Sequence, residues 1–225
     1  MKQINAMEKE IRSFSIDFRA DVDTRTIEGV AIPFNTPSPN REGFREVIEA
    51  GATEGVIEAS DIFMLYNHDR RGGFLARNNK GKGTLKIDTK DDGVHFSFKP
   101  GNDNLSQYVW ERMERGELNE MSFAFTVSKD TWVKGSDGVF TRTINKFDRL
   151  FDFSIVDQSY YGIEDACKCK RFAEVQEEDR KALEEAERRA EEEAKEEEAR
   201  KEAERQARIE ETYKKLREEY LQYLK

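Results

Sequence analysis

Two polar residues lie at the ends of apolar segments, in positions that suit acyl-transfer chemistry. Ser122 is the single hydroxyl at the start of the apolar run of residues 121–125, between Met121 and Phe123, after a polar turn that begins at Gly116. A serine at the head of a buried strand is held on stiff backbone, as a nucleophile requires. His68 follows the apolar run of residues 61–66. Because the ordinary pKa of histidine lies near neutrality, this residue suits a general base.

Each of these residues also has a structural interpretation. Most serines in such positions are strand residues that alternate toward solvent, and a strand-end imidazole can simply cap the turn at residues 70–73. The other histidine, His95, alternates with apolar residues in 93–98 and is interpreted as an ordinary strand residue. Two scattered histidines without a His-Glu-x-x-His motif provide too few ligands for a metal, so no metal or cofactor is expected.

The composition changes sharply near residue 170. Upstream segments are rich in aromatic and β-branched residues, whereas beyond residue 172 the chain is almost wholly Glu, Lys, Arg and Ala, without Gly or Pro. The averages of 36% hydrophobic and 38% charged residues conceal this difference. We therefore expect a compact domain over residues 1–170 and a charged helical tail over 171–225.

Charge and cysteine content exclude several classes of protein. The net charge of -9 argues against a general affinity for nucleic acid. Cys167 and Cys169 are too close in sequence to form a disulfide readily, and are expected to be reduced thiols of a cytoplasmic protein. The polar N-terminus predicts no signal peptide, and no apolar run is long enough to span a membrane.

Period-two alternation predicts many short strands that position the two candidate residues. One clear helix is predicted over residues 105–115, capped by Asn104, and a helical turn over 54–59. Three consecutive strands are expected to form a meander, and residues 131–142 a hairpin. The predicted strands cover residues 11–18, 24–34, 44–48, 61–66, 73–77, 84–88, 94–98, 122–127 and 149–156. This pattern indicates a mainly β (α+β) fold with a barrel-like core.

The tail has two interpretations. Glu–Lys and Glu–Arg pairs four residues apart support a helix that stands largely in water. Near its end a short apolar stripe recurs at steps of three and four residues: Ile209, Tyr213, Leu216, Tyr220 and Leu224. The tail is therefore either a solvated single helix or an assembly helix that pairs with itself or a partner.

Several segments in order resemble the prohead (capsid-maturation) serine proteases of tailed double-stranded DNA phages, the Hong Kong 97-type family. They are Gly-Val-Ala-Ile-Pro-Phe-Asn at 29–35, Phe-Arg-Glu at 44–46 with Gly-Ala at 51–52, Leu-Tyr-Asn-His-Asp at 65–69, Met-Ser-Phe-Ala-Phe at 121–125 and Leu-Phe-Asp-Phe-Ser-Ile-Val at 150–156. The resemblance covers about residues 10–165. It implies a herpesvirus-protease-like fold, a closed or partly open β-barrel with a few surrounding helices.

The resemblance also implies roles for residues. His68 would be the general base and Ser122 the nucleophile, with a carboxylate orienting the imidazole. The family usually has a glutamate at the position of Asp152 in a Leu-x-Glu-Val-Ser-like strand, so the reach of the carboxylate differs here. Asp152 is also interpretable as a solvent-facing strand residue. Three further aspartates are alternatives for the orienting role: Asp69, Asp148 and Asp157.

The function implied is that of a serine endopeptidase in the phage procapsid, in the host cytoplasm. Its expected substrates are the major capsid protein, scaffold segments and its own tail. The alternative is a non-catalytic capsid-assembly or scaffolding protein that retains the fold. An esterase-like hydrolase is disfavoured, because Ser122 lacks a Gly-x-Ser-x-Gly context and no Asp-then-His order follows it.

Overall fold

The computed structural model describes residues 8–15, 19–40, 43–157 and 170–223. The chain divides into two compact units, Met1–Lys168 and Cys169–Lys225. The helices are α1 (Val56–Ala59), α2 (Asn104–Glu114) and α3 (Lys170–Tyr223), with a 3-10 turn at Ala50–Thr53. The strands are β1 (Glu10–Ser15), β2 (Arg19–Asp21), β3 (Thr26–Pro33), β4 (Phe44–Ile48), β5 (Asp61–Tyr66), β6 (Ala76–Asn79), β7 (Lys82–Gly83), β8 (Lys86–Lys90), β9 (Gly93–Phe98), β10 (Glu120–Lys134) and β11 (Phe140–Val156).

The strands of the first unit form two sheets. The larger is mixed, in the order β1-β10-β11-β5-β6-β7, with β4 pairing in parallel with the first part of β11. The smaller has the order β2-β3-β9-β8. The mainly β class with few helices and a long C-terminal helix is confirmed. A closed barrel is not found among the described strands, so that part of the expectation is unconfirmed.

The expected meander is wrong. β6 pairs with β5 and β7 in the larger sheet, whereas β8 pairs with β9 in the smaller one. Alternation of side chains identifies the buried face of a strand but not its neighbour, which explains the error. The hairpin predicted over residues 131–142 is the distal part of one long β10–β11 pair.

Helix α2 directs the chain into β10. Its N-cap is Asp103, whose Oδ1 accepts the backbone N–H of Ser106 at 3.0 Å, rather than the predicted Asn104. At the other end the N–H of Gly116 donates to Met113 O at 2.9 Å, and the following N–H donates to the carbonyl of residue 112 at 2.8 Å. This is a Schellman motif, and Gly116 takes its left-handed position with φ 72°. The helix therefore ends at this glycine turn, and Gly116 lies four residues before β10.

The core contains residues of both sheets and includes a cluster of three phenylalanines. Phe123 stacks on Phe125 at 5.0 Å between ring centroids, and Phe147 meets both rings edge-on. The apolar face of α2 contributes Val109, which is fully buried. Because these phenylalanines alternate along β10 with the residues of the opposite face, burying them turns Ser122 to that face.

A buried ion cluster joins β1 and β4 to the β10–β11 pair. Arg12 donates to Glu46 through Nε at 2.7 Å and through Nη2 at 2.9 Å. Arg142 donates to Glu46 at 3.0 Å, to Glu10 at 2.6 Å and to Asp130 at 2.8 Å. Both arginines are 2% exposed. Charges buried this completely need all their partners, so the cluster holds β1 at the sheet edge.

In the second unit α3 is one helix whose described side chains are mostly exposed. Ion pairs at four-residue spacing run along it, such as Lys201–Glu197 at 2.6 Å. The described members of the apolar stripe are exposed: Ile209 by 47%, Tyr213 by 71% and Leu216 by 57%. The predictions for Cys167, Cys169 and Leu224 fall outside the described residues, as does the predicted strand at 16–18.

Candidate active site

Strand register places three serine hydroxyls in one row on the same face of the larger sheet. Ser13 of β1 lies opposite Ser122 of β10, which lies opposite Ser154 of β11. Side chains paired across a ladder project from the same face. Asp152 lies two residues before Ser154 on β11, and so projects from that face as well. Asp152 is about 30 residues from Ser122 in sequence. The two residues come together only because β10 and β11 pair.

His68 reaches this row from a tight turn after β5. Asn67 and His68 have positive φ values, 51° and 56°, and the N–H of Asp69 donates to Tyr66 O at 3.0 Å. Two left-handed central residues are typical of a type I′ turn, and for residues other than glycine each costs roughly 1–2 kcal/mol. The N–H of Asn67 donates to Ile155 O at 3.0 Å, which attaches the turn to β11. The backbone of Asn67 and His68 is therefore strained at the point where it directs the imidazole toward Ser122.

The imidazole of His68 bridges Ser122 and Asp152. Its Nδ1 is 2.5 Å from Asp152 Oδ1, and its Nε2 is 2.7 Å from Ser122 Oγ. An ionised carboxylate only accepts hydrogen bonds, so Nδ1 carries a proton and donates it. In the neutral ring Nε2 is then the acceptor, and it faces the serine hydroxyl. This is the tautomer in which the ring can remove a proton from Ser122.

The surroundings of Asp152 keep it ionised. Ser154 Oγ donates to Asp152 Oδ1 at 2.9 Å and lies 3.1 Å from His68 Nδ1, while Lys9 Nζ lies 3.4 Å from Oδ2. Burial by itself raises the pKa of Asp152. The hydrogen bond and charge of His68, the charge of Lys9 and the hydroxyl of Ser154 outweigh burial, so that the pKa of Asp152 lies below its ordinary value.

Ser122 has two further contacts, both with β1. Its hydroxyl donates to Arg12 O at 3.0 Å and accepts from Ser13 Oγ at 3.0 Å. Ser122 is 1% exposed. A hydroxyl has a single proton, so donation to Arg12 O competes with donation to His68 Nε2. The edge strand β1 thus borders the hydroxyl closely.

The structure brings the three predicted site residues together, whereas the three alternative aspartates bond other partners. Asp148 accepts from Thr126 Oγ1 at 3.0 Å, Asp157 from Tyr66 OH at 3.2 Å and Asp69 from the N–H of residue 71 at 2.9 Å. None of these three carboxylates is hydrogen-bonded to the imidazole of His68, whose ring partners are Asp152, Ser122 and Ser154. The interpretation of Asp152 as a solvent-facing residue is wrong, since Asp152 is 3% exposed.

Three contact residues were not identified from the sequence. Ser154 has a local signal, since it follows Asp152 by two residues and shares its face. Ser13 and Lys9 have none, because each reaches the site only through the pairing of β1 with β10. His95 lies in β9, as predicted, with Nε2 2.8 Å from Asp92 Oδ1. Among the described residues no three His, Cys, Asp or Glu side chains are grouped to hold a metal ion.

Comparisons with known proteins give one family. A family model described as caudovirus prohead serine protease matches residues 12–178. No curated protein matches the sequence. The solved structure of the bacteriophage T4 capsid assembly protease, gp21, is similar over 68% of this chain and 98% of that chain, with 10% identity and a TM-score of 0.42. Of the helices described, none is long and apolar enough to cross a membrane.

Proposed function

The chain belongs to the family of caudovirus prohead serine proteases and is a serine peptidase of capsid maturation, and we propose that Ser122, His68 and Asp152 are its catalytic residues. One observation carries the assignment: a single imidazole bonded to Ser122 Oγ at 2.7 Å and to Asp152 Oδ1 at 2.5 Å. Family membership also disfavours the alternative of a non-catalytic scaffold protein. Ser122 is the nucleophile, His68 the general base and Asp152 the orienting carboxylate.

The chemistry follows from these contacts. Ser122 Oγ attacks the carbonyl carbon of the scissile peptide while its proton passes to His68 Nε2. The imidazolium then protonates the leaving amine, and the C–N bond breaks to leave an ester on Ser122. Water, deprotonated by the same nitrogen, hydrolyses that ester. Throughout, Asp152 accepts the hydrogen bond from His68 Nδ1–H, remains ionised and stabilises the transient positive charge of the ring.

The first step requires a change at the nucleophile. In the structure the Ser122 proton has two acceptors, His68 Nε2 and Arg12 O. Only the orientation toward His68 leads to reaction, and the scissile carbonyl must also approach a residue that is 1% exposed. We infer that substrate binding loosens the contacts of Ser122 Oγ with Arg12 O and Ser13 Oγ on β1.

The substrates we propose are the capsid protein, scaffold segments and the chain's own tail, within the procapsid in the host cytoplasm. A 54-residue helix with mostly exposed side chains supports the last of these. Because its side chains are mostly exposed, such a helix opens locally at little cost in free energy, and proteases cut opened segments. The exposed stripe at Ile209, Tyr213 and Leu216 further supports self-association through the tail.

Intact-mass analysis of wild type and Ser122→Ala, incubated alone and then with the major capsid protein, tests this function. We expect fragments in the wild type alone, with the tail and the capsid protein among the substrates. A fluorophosphonate, which phosphonylates activated serine hydroxyls with loss of fluoride, should label the wild type at Ser122. Cleavage that persists in Ser122→Ala, or a wild type that neither cuts nor is labelled with capsid protein present, contradicts the assignment.

A further inference from the structure

A recess of about 140 Å³ adjoins the candidate catalytic residues. His68 and Asp152 line this recess together with Phe63 and Phe151. In the register of the sheet Asp152 lies opposite Phe63. The recess is therefore on the same face as Ser122, where a bound peptide has to lie.

Two arginines line the recess and stack on its aromatic rings. The guanidinium carbon of Arg70 is 3.9 Å from the centroid of the Phe63 ring, and that of Arg149 is 4.9 Å from the centroid of the Phe151 ring. A guanidinium stacked on a ring is oriented, and its N–H groups remain available in its plane. Such a fork is suited to a carboxylate, which it binds through two parallel hydrogen bonds.

The carboxylates of the recess are already occupied by other partners. Both oxygens of Asp61 accept from Arg77, at 2.8 and 2.7 Å. Asp152 has His68 on Oδ1 and Lys9 on Oδ2. Within the described ranges, no carboxylate lies at ion-pair distance from Arg70 or Arg149. The pKa of Asp61 is lowered by its hydrogen bond with Arg77, against the effect of burial, and further by the charges of Arg77, Arg70 and Arg149. Asp61 therefore balances part of the charge of the two recess arginines, but no described carboxylate accepts a hydrogen bond from either of them.

We propose that this recess is a substrate subsite that binds an acidic side chain close to the scissile bond, with Arg70 and Arg149 as its specificity-determining residues. The inference rests on the proposed function, because it takes His68 and Ser122 as the reacting centre. The carboxylate of a glutamate or aspartate pairs with the guanidinium groups, and its methylenes pack on the rings. The chain itself contains such sequences, since residues 190–199 of α3 read Ala-Glu-Glu-Glu-Ala-Lys-Glu-Glu-Glu-Ala.

A binding experiment tests the subsite without requiring turnover. The probes are a labelled peptide of residues 190–199 and the same peptide with every Glu replaced by Gln, titrated by fluorescence anisotropy against full-length Ser122→Ala. Arg70→Glu and Arg149→Glu are added to that background. Arg71→Glu is the matched control, because its side chain is 95% exposed, pairs with Asp69 and does not line the recess.

We expect the Glu peptide to bind about tenfold more tightly than the Gln peptide, since hydrogen bonds between charged groups are stronger than those of a neutral amide. Arg70→Glu and Arg149→Glu should each abolish that difference, and Arg71→Glu should preserve it. Equal binding of both peptides, or equal loss in all three variants, overturns the subsite.

Cleavage separates this outcome from failure of the proposed function. With unfolded protein substrates, the wild type should cut at sites that share an acidic residue at one fixed position near the cut, and Arg149→Glu should favour a basic residue there. Ser122-dependent cutting without such a preference overturns the subsite and leaves the catalytic assignment intact. Preferential binding of the Glu peptide by a protein that never cuts supports the subsite and contradicts the catalytic assignment.

Discussion

Replacing Asp152 by asparagine removes the negative charge behind His68 with almost no change in shape. The contacts predict how the amide will orient. His68 Nδ1–H and the Ser154 hydroxyl both donate to Oδ1, whereas only Lys9 approaches Oδ2. The side chain of Lys9 is 47% exposed and free to move away. We therefore expect the amide NH2 group to turn toward Lys9, leaving an oxygen on His68 and the reactive tautomer in place.

The expected loss is then that of the charge alone. An imidazolium and a carboxylate about 4 Å apart attract each other by about 4 kcal/mol at an effective dielectric constant of about 20. Because about 1.4 kcal/mol corresponds to a factor of ten in rate, Asp152→Asn should react about 10³-fold more slowly. By contrast, an Asp→Asn substitution that leaves the imidazole in the wrong tautomer lowers the rate of a serine protease about 10⁴-fold.

The assay is the second-order rate of labelling by a fluorophosphonate, followed by intact mass, with Ser122→Ala as the background. The matched control is Asp148→Asn, which changes another aspartate of β11 that bonds Thr126 and not His68. It should label within about twofold of the wild type, since a substitution away from the site leaves the reacting groups unchanged. Labelling of Asp152→Asn within about tenfold of the wild type would refute the electrostatic role assigned to this carboxylate.

Three further outcomes are expected. Ser154→Ala should slow labelling about tenfold. A hydrogen bond to the ionised Asp152 is worth about 1.5–3 kcal/mol, and only part of that energy goes into orienting the imidazole. Unchanged labelling would show that Ser154 has no positioning role. Arg142→Met should lower the free energy of unfolding in urea by about 3–5 kcal/mol, because it removes one of the two cations that balance the carboxylates of the buried cluster. Arg45→Met, which breaks the exposed pair of Arg45 with Asp137, should cost less than about 1 kcal/mol. Since the folded-state pKa of Asp152 lies below the ordinary 3.8, its stabilisation is present above that pH and is lost as the pH falls through the folded value. The difference in melting temperature between wild type and Asp152→Asn should therefore shrink below about pH 4, and a difference independent of pH would contradict this.

The sequence predicted which three residues meet, but not what surrounds them. The order of the motifs indicated Ser122 and His68, because each lies in a segment with a recognisable pattern, and it indicated Asp152 with three other aspartates left as alternatives. Ser13 contacts Ser122 across 109 positions of sequence. Lys9 contacts Asp152 across 143 positions, so no local pattern indicates either contact.

Local patterns also failed where two residues are chemically equivalent. Asp103 and Asn104 are both good N-caps, and the helix begins after the aspartate, one residue before the predicted start. Alternation along β11 does not reveal that Arg142 faces inward, because a charged residue in a strand is normally exposed. Its burial depends on carboxylates from β1, β4 and β10, which only the sheet order brings together.

The backbone position of the turn after β5 compensates for the shorter carboxylate at position 152. The pattern that the chain resembles has glutamate there, yet the aspartate lies 2.5 Å from Nδ1, because the turn after β5 is attached to β11 through the Asn67 N–H and Ile155 O. An extra methylene extends the side chain by about 1.5 Å, which the contact cannot accommodate unless the imidazole moves away from Ser122. Asp152→Glu should therefore label about 10- to 100-fold more slowly although it keeps the charge, since a displacement of about 1 Å costs about that much in rate. Labelling at the wild-type rate would mean that the turn, and not the length of the carboxylate, positions His68.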